Sequence, residues 1–357
     1  MTYPPLPADD LDHVVALTRT HWELTRGQRI FITGGTGFFG TWLLESAVHA
    51  NRILDLGLQV TALSRDPAAF LRKCPHLAGT PGLEFLSGDV REFEGPTGDF
   101  RYVVHAASSV GRSLAVDPPQ EVIGTLVEGT RRVLAFADRC GARGLLLISS
   151  GAVYGKQPPD LARIPENYHG MLDPLETGAA YGVGKRQAEQ LCEAHARTHD
   201  CAVKIARCFA FVGPHLPLDG PYAMGNFIRD ALAGGPIRVA GDGTPRRSYL
   251  YAADLTIWLW TMLFRGAAGC VCNVGSPDDI SIGEVAAQVS ASMPAPSAVE
   301  IACSARPGAA VSRYVPDTSR AWRDLQLRVW ITPAEAIRKT IAWHRHANSI
   351  QHSHELR

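Results

Sequence analysis

Short apolar runs of β-forming residues alternate with stretches of helical periodicity from residue 30 to residue 208. Runs at 30–33, 58–64, 83–86, 101–105, 144–149 and 202–208 read as strands. Helical spacing fills 38–50, 119–140 and 180–199. The strand runs are apolar on successive residues, so both of their faces are buried. Strands of that kind joined by helices predict an α/β protein, a parallel sheet doubly wound by helices. Residues 1–28 read as an added N-terminal helix, with Val14, Val15, Leu17 and Trp22 partly periodic. Beyond Gly213-Pro214 the pattern loosens, and Pro and Gly cluster at 213–221, 234–245 and 294–308. Those stretches predict loops of a smaller, mainly C-terminal lobe set on the rigid sheet. The division expected is a helical extension (1–28), a sheet domain (29–214 plus about 250–275), a second lobe (215–249 and 276–345) and a tail (346–357). The segment HRHANSIQHSHELR reads as a frayed surface end, because its histidine spacing fixes no ligand geometry. No metal site is expected.

The junction of the first strand and helix carries the most chemistry. Ile30-Phe31-Ile32 leads into Gly34, Gly35, Gly37 and Gly40, and a helical pattern follows at once. Glycine lets such a turn tighten, lets backbone N–H groups approach a pyrophosphate, and lets the helix pack close to the strand. The pyrophosphate then rests on the helix N-terminus, where free N–H groups and the positive dipole end face it. Strand, spacing and helix agree, which makes this a dinucleotide site on a Rossmann-type sheet rather than a structural turn. Gly34, Thr36, Gly37, Phe38, Phe39 and Gly40 are its expected members.

Composition narrows the classes. A chain of 357 residues with a formal charge of +0 and scattered Lys and Arg gives no nucleic-acid or membrane surface. The 8 cysteines lack paired metal-like spacing and read as reduced, mostly buried thiols of a cytoplasmic protein. Cys270 and Cys272, two apart on a strand, are expected to face one side. The N-terminus lacks the basic and apolar regions of a signal peptide, and the run near 257–264 is too short to span a bilayer.

A second constellation is Tyr181-Gly-Val-Gly-Lys185. Positions i and i+4 share a helix face, so phenol and ammonium point the same way. A nearby cation is expected to lower the phenol pKa from ~10 and make Tyr181 a general acid/base. Ser149-Ser150 ends a strand about thirty residues upstream, where open α/β sheets bind ligands.

With these motifs the chain resembles the extended short-chain dehydrogenase/reductase family, in its nucleotide-sugar epimerase/dehydratase branch. The resemblance runs from about 28 to about 345 and rests on several segments. They are TGGTGFFG (33–40), GDV (88–90), VVHAAS (103–108), ISSGAVYG (148–155), YGVGK (181–185), VGP (212–214), Asn226-Phe227-Ile228, GDGTPRRSYLYAADL (241–255), NVGS (273–276) and RPG (306–308). It implies that Ser150, Tyr181 and Lys185 are catalytic, that Asp89 and Val90 meet the adenine, and that Ala106 and Ala107 line the cofactor. It also implies that Ser109, Ser150, Asn226, Arg247 and Arg306 contact a nucleotide sugar, the arginines through its diphosphate. Relatives pair the helices at 119–140 and 180–199 across a two-fold axis, which implies a homodimer. Val122, Leu126, Val133 and Phe136, and Ala188, Leu191, Cys192 and His195, are the apolar rows that bear on it.

Departures from the family refine the reading. Ser64 stands where NAD-preferring relatives place an acid, and Arg65 can pair with a 2′-phosphate; this favours NADP(H) and leaves NAD(H) open. Gly151-Ala152 stand where 4,6-dehydratases carry Asp-Glu and where decarboxylases keep the Glu. Neither residue can move a proton, so elimination of water lacks its acid and base. Leu126 and Ala210 stand where relatives often have Asn. The function expected is reduction by NADPH of the 4-keto group of a nucleotide-linked 4-keto-6-deoxyhexose. A 4-epimerase is the alternative, followed by a 4,6-dehydratase, with a dinucleotide-sensing or scaffold protein as the non-enzymatic reading.

Overall fold

A computed structural model describes residues 2–108, 117–170, 172–176 and 178–355. Its strands are β1 (Arg29–Thr33), β2 (Gln59–Ser64), β3 (Leu83–Ser87), β4 (Tyr102–His105), β5 (Gly144–Ser150), β6 (Ala202–Cys208) and β7 (Phe211–Val212). They continue with β8 (Ile237–Val239), β9 (Arg246–Ser248), β10 (Leu250–Tyr251), β11 (Cys270–Val274), β12 (Asp279–Ser281), β13 (Val299–Ile301) and β14 (Arg313–Tyr314). The α-helices are α1 (Ala8–Trp22), α2 (Phe38–Leu54), α3 (Pro67–Lys73), α4 (Pro119–Arg139) and α5 (Ala180–Ala196). After them come α6 (Ala223–Leu232), α7 (Ala252–Arg265), α8 (Ile282–Ala291), α9 (Ser319–Leu325) and α10 (Pro333–Glu355).

Seven strands form the central sheet in the order β11-β6-β5-β4-β1-β2-β3, every neighbouring pair parallel. The register aligns Ile32 with Ala62 on one side and with Val104 on the other. The order reverses between β1 and β4, and ligands of open α/β sheets bind at the carboxyl ends beside such a reversal. Alternate residues of β1 feed opposite cores. Ile30 and Ile32 join the layer of Trp22, Trp42, Trp258 and Trp260, whereas Phe31 joins Phe93, Phe100 and Phe136.

The strands expected from the sequence are all present, with ends shifted by a residue or so. The helix expected to reach 199 stops at Ala196, where the Thr198 hydroxyl turns back onto the carbonyls of Ala194 and His195. The run near 257–264 belongs to α7, which is buried on every side from Ala252 to Leu263 and so shows no amphipathic stripe. The small strands β9, β12 and β14 form a separate sheet in the order β12-β9-β14, pairing Tyr314 with Arg247.

Three expectations change. The N-terminal helix is part of the core: Trp22 packs 4.8 Å from Trp260, and the Tyr251 hydroxyl donates to the buried carboxylate of Asp10 at 2.6 Å. Leu17, counted in its apolar row, faces solvent. The His-rich tail is not frayed up to Glu355. It continues α10, whose buried Ile337, Thr340, Ile341, His344 and Ala347 recur at helical spacing. Finally, Val122, Leu126, Val133, Phe136, Ala188, Cys192 and His195 are buried within one chain, and Leu191 is half-buried. Those rows cover the sheet and each other and leave no apolar surplus, so pairing with a second copy rests on the resemblance alone. Among the described residues no helix is long and apolar enough to cross a membrane.

Candidate active site

The turn from β1 to α2 is built around Gly34, whose φ is 71°. A Cβ there would lie 2.6–2.8 Å from the backbone of Ala106 and Ala107, so only glycine lets the turn rest against the end of β4. The Ala107 N–H donates to the Thr33 hydroxyl at 3.2 Å and fastens the two ends together. Gly37 precedes α2 and carries no side chain to cap it, which leaves the first N–H groups of Phe38, Phe39 and Gly40 for a ligand. The Thr36 and Ser64 hydroxyls are 3.1 Å apart and tie this turn to the end of β2. A tight glycine cradle at an uncapped helix N-terminus, set at the sheet's point of reversal, fits a dinucleotide pyrophosphate.

Arg65 is exposed just past β2. Asp89 turns its carboxylate to Arg91, accepting from its backbone N–H and its Nε at 2.9 Å each. Those hydrogen bonds hold Asp89 below the usual carboxylate range, with the Arg65 charge helping. Val90 is buried beneath Gly129 of α4.

Ser150, Tyr181 and Lys185 converge as the sequence indicates. Ser150 ends β5 and its hydroxyl accepts the Ala152 N–H at 3.1 Å. Tyr181, in the first turn of α5, is half-buried and meets the hydroxyls of Ser150 and Ser108. Lys185 is buried one turn on, its Nζ 5.8 Å from the centre of the Tyr181 ring. The electrostatics differ from expectation. Burial pushes the Tyr181 phenol up to about 12, against the pull of Ser150 and Ser108. Burial also pushes Lys185 down to about 8. Its ammonium donates to the Ile148 carbonyl at 2.6 Å, so the cation serves the strand and does not depress the phenol.

A polar network beneath this trio was not singled out in the sequence. Glu189, one turn beyond Lys185, accepts from the Ser149 hydroxyl at 2.5 Å and from Arg207 of β6 at 2.7–3.1 Å. Arg207 also donates to the Tyr154 hydroxyl at 2.9 Å, which donates in turn to Asn273 at 2.8 Å. The signal available was the continued i+4 spacing Tyr181, Lys185, Glu189 on one helix face. Buried Leu126, standing where relatives often have Asn, packs under Gly184, whose Cβ would lie 2.7 Å from its Cδ1; Ala210 is half-buried. His105 is buried between the hydroxyls of Thr33 (2.8 Å) and Thr130 (3.1 Å), and burial pushes it down to about 3.

The expected substrate contacts are only partly gathered. Arg247 is half-buried on β9, donates to the Arg246 carbonyl at 2.8 Å, and bears electrostatically on Tyr314. Asn226 lies on α6 and accepts from Arg229 at 3.0 Å. Arg306 is exposed on the segment before β14, with no ion pair among the described residues. Ser109 lies outside the described residues. Tyr222 and Tyr314 were missed; both bear electrostatically on Tyr181, and no motif surrounds either in the sequence.

Asp138, His195 and His199 form the one group of possible metal ligands among the described residues. The two imidazoles are stacked, 4.1 Å apart and within 6° of parallel. Stacked parallel rings keep their in-plane lone pairs in two separate planes, so no ion can lie in both ring planes at ~2.0–2.1 Å. The group reads as a carboxylate facing two histidines, at 3.2 and 3.4 Å.

A doubly wound sheet with a glycine cradle at its reversal and a serine, tyrosine and lysine beside it defines a dinucleotide-dependent enzyme scaffold. Residues 30–275 match the NAD dependent epimerase/dehydratase family, and the chain belongs to it. It is 32% identical over 260 residues to UDP-glucuronic acid decarboxylase 1 of Xenopus tropicalis, covering 72% of this chain and 59% of that protein. The chain thus spans well under two thirds of that relative's length. UDP-glucuronic acid decarboxylase 5 of Arabidopsis thaliana is 32% identical over 264 residues, 73% of each chain. In fold it is similar to an epimerase of Methanothermobacter thermautotrophicus (TM-score 0.77, 22% identity, covering 94% and 97% of the two chains). A dTDP-glucose 4,6-dehydratase of Streptomyces venezuelae solved with NAD has a TM-score of 0.74 at 25% identity, covering 90% and 98%.

Proposed function

We propose that this enzyme reduces the 4-keto group of a nucleotide-linked 4-keto-6-deoxyhexose, using NADPH. One observation carries the reading: Ser150, Tyr181 and Lys185 are assembled, while the neighbouring Gly151 and Ala152 offer no group that can move a second proton. Carbonyl reduction needs one acid at the forming alkoxide. Tyr181, held protonated by burial, is that acid. The Ser150 hydroxyl donates to the same oxygen as charge develops. Lys185, fixed to the Ile148 carbonyl, would hold the nicotinamide ribose. Bound NADPH would supply the hydride. The turn from Gly34 to Gly40 would hold its pyrophosphate, Arg65 its 2′-phosphate, and Asp89, Val90, Ala106 and Ala107 would flank its two halves. Arg247 and Arg306 would take the sugar diphosphate, with Asn226 and Ser109 near the sugar nucleotide. The decarboxylation named for the relatives is not carried over, because Ala152 stands where the resemblance puts a Glu.

The test is a panel of nucleotide sugars and their 4-keto-6-deoxy derivatives, each with NADPH and with NADH. Stoichiometric NADPH oxidation with a 4-keto substrate supports the proposal. Interconversion of C4 epimers by protein that retains NAD, or release of carbon dioxide from UDP-glucuronate, overturns it.

A further inference from the structure

Cys270 and Cys272 face one side of β11, the edge strand of the central sheet, as their spacing predicts. Both thiols are free, and their Sγ atoms are 3.3 Å apart. Cys270 is partly exposed, whereas Cys272 is fully buried. The register aligns Cys270 with Lys204 of β6, so the lysine shares its face of the sheet. Arg320 of α9 reaches the strand and donates to the Val271 carbonyl at 3.2 Å. Two acids also bear on Cys270, but Glu166 faces Arg320 at 3.9 Å and Asp324 faces Arg323 at 2.9 Å. The hydrogen bond with Cys272 holds the Cys270 thiol below its ordinary value, and the same contact, with burial, pushes Cys272 up. One sulfur is thus reachable and readily ionised. The other is buried, protonated and in contact with it.

We infer that Cys270 and Cys272 are a reversible dithiol/disulfide site, with Cys270 as the attacking thiol, Cys272 as the resolving one, and a small glutathione-type disulfide as co-reactant. The Cys270 thiolate attacks one sulfur of that disulfide, forms a mixed disulfide and expels a first thiolate. The Cys272 sulfur then attacks the Cys270 sulfur, forms the intrastrand bond and expels the second thiolate. The two cysteines lose two protons and two electrons, and the co-reactant gains them as two released thiols. A strand rises so that Cα atoms two residues apart lie about 6.4–6.8 Å from each other, and disulfides span Cα distances of about 4.4–6.8 Å. The bridge is therefore within reach at its far limit, and the strain of closing it makes it readily reduced again. Closure draws Cys270 and Cys272 together across Val271 and disturbs the backbone that presents Asn273. The Asn273 N–H donates to Glu166 at 2.9 Å, and its side-chain amide donates to the carbonyls of Ile164 (2.8 Å) and Asp317 (3.1 Å). Asn273 also accepts from the Tyr154 hydroxyl, so the thiol pair adjoins the polar network beneath the catalytic trio.

The site stands apart from the proposed reduction, and its test needs no turnover. Full-length wild type, Cys272→Ser and Cys270→Ser are incubated with glutathione at rising ratios of oxidised to reduced form, then alkylated with iodoacetamide and digested. Peptide mapping separates the pair from exposed Cys303. In wild type the peptide carrying residues 270 and 272 should lose two hydrogens and escape both alkylations, and dithiothreitol should restore both thiols. Cys272→Ser should stop at a glutathione adduct on Cys270, whereas Cys270→Ser should react at Cys272 about ten-fold more slowly or less. Amide hydrogen exchange across 271–273 should speed about ten-fold in oxidised wild type. Two alkylated cysteines in wild type at every ratio, or a glutathione adduct that persists on wild-type Cys270, would overturn the site. Unchanged exchange in a fully formed disulfide would overturn its link to Asn273.

Discussion

Lys185 lies one helical turn from Tyr181, yet its ammonium donates to the Ile148 carbonyl at 2.6 Å and stands 5.8 Å from the centre of the phenol ring. The lysine thus registers α5 against β5 and leaves the phenol protonated, which suits an acid delivering a proton to a forming alkoxide.

Tyr181→Phe should lower turnover by about two orders of magnitude or more, the usual loss for a general acid. Circular dichroism and Tm should stay near wild type, because the ring is retained. Near-normal turnover by a folded variant would remove Tyr181 from the mechanism.

Arg65→Ala should weaken NADPH by about 1–3 kcal/mol, roughly 5- to 150-fold, through loss of charge-assisted hydrogen bonds to the 2′-phosphate. NADH binding should hold. Fluorescence titration with both cofactors separates the outcomes, and equal losses would show that Arg65 does not read the phosphate.

Glu189→Ala leaves Arg207 facing Tyr154 without its carboxylate, where side-chain exposures in the pair are 17% and 10%. Removing one partner of such a pair should cost on the order of 3 kcal/mol in denaturant unfolding. Glu193→Gln, which breaks the exposed pair with Arg197, is the control and should cost under about 1 kcal/mol.

His105 titrates near its ordinary value in the unfolded chain and only at about 3 when folded. The unfolded state therefore binds more protons between about pH 6.5 and 3, and stability from this residue is lost as pH falls through that window. Tm against pH should show a shallower acid loss for His105→Asn than for wild type. Parallel curves would mean that His105 is charged in the folded protein.

Much of the fold was legible because central strands of a doubly covered sheet are apolar on successive residues, as in Ile30-Phe31-Ile32 and in residues 145–148. The glycine cradle and the Tyr181/Lys185 face were legible because local spacing fixes them. α7 hid because burial on all sides erases periodicity. The tail misled because its histidines drew attention away from an i, i+3, i+4 row that includes His344 and Ala347. Tyr314 was not legible at all. It lies against Gly151 only because β14 pairs beside Arg247 of β9, far from either catalytic segment in sequence. The sign of the Tyr181 shift was misjudged because spacing reports proximity to a cation, whereas burial decides the phenol here.

The most direct test of the central claim is NADPH absorbance at 340 nm during incubation with dTDP-4-keto-6-deoxyglucose, followed by mass analysis of the product. The account expects one NADPH consumed per sugar and a product two hydrogens heavier than the substrate. Unchanged absorbance, together with C4 epimerisation of an unmodified nucleotide sugar by protein carrying its own NAD, would contradict it.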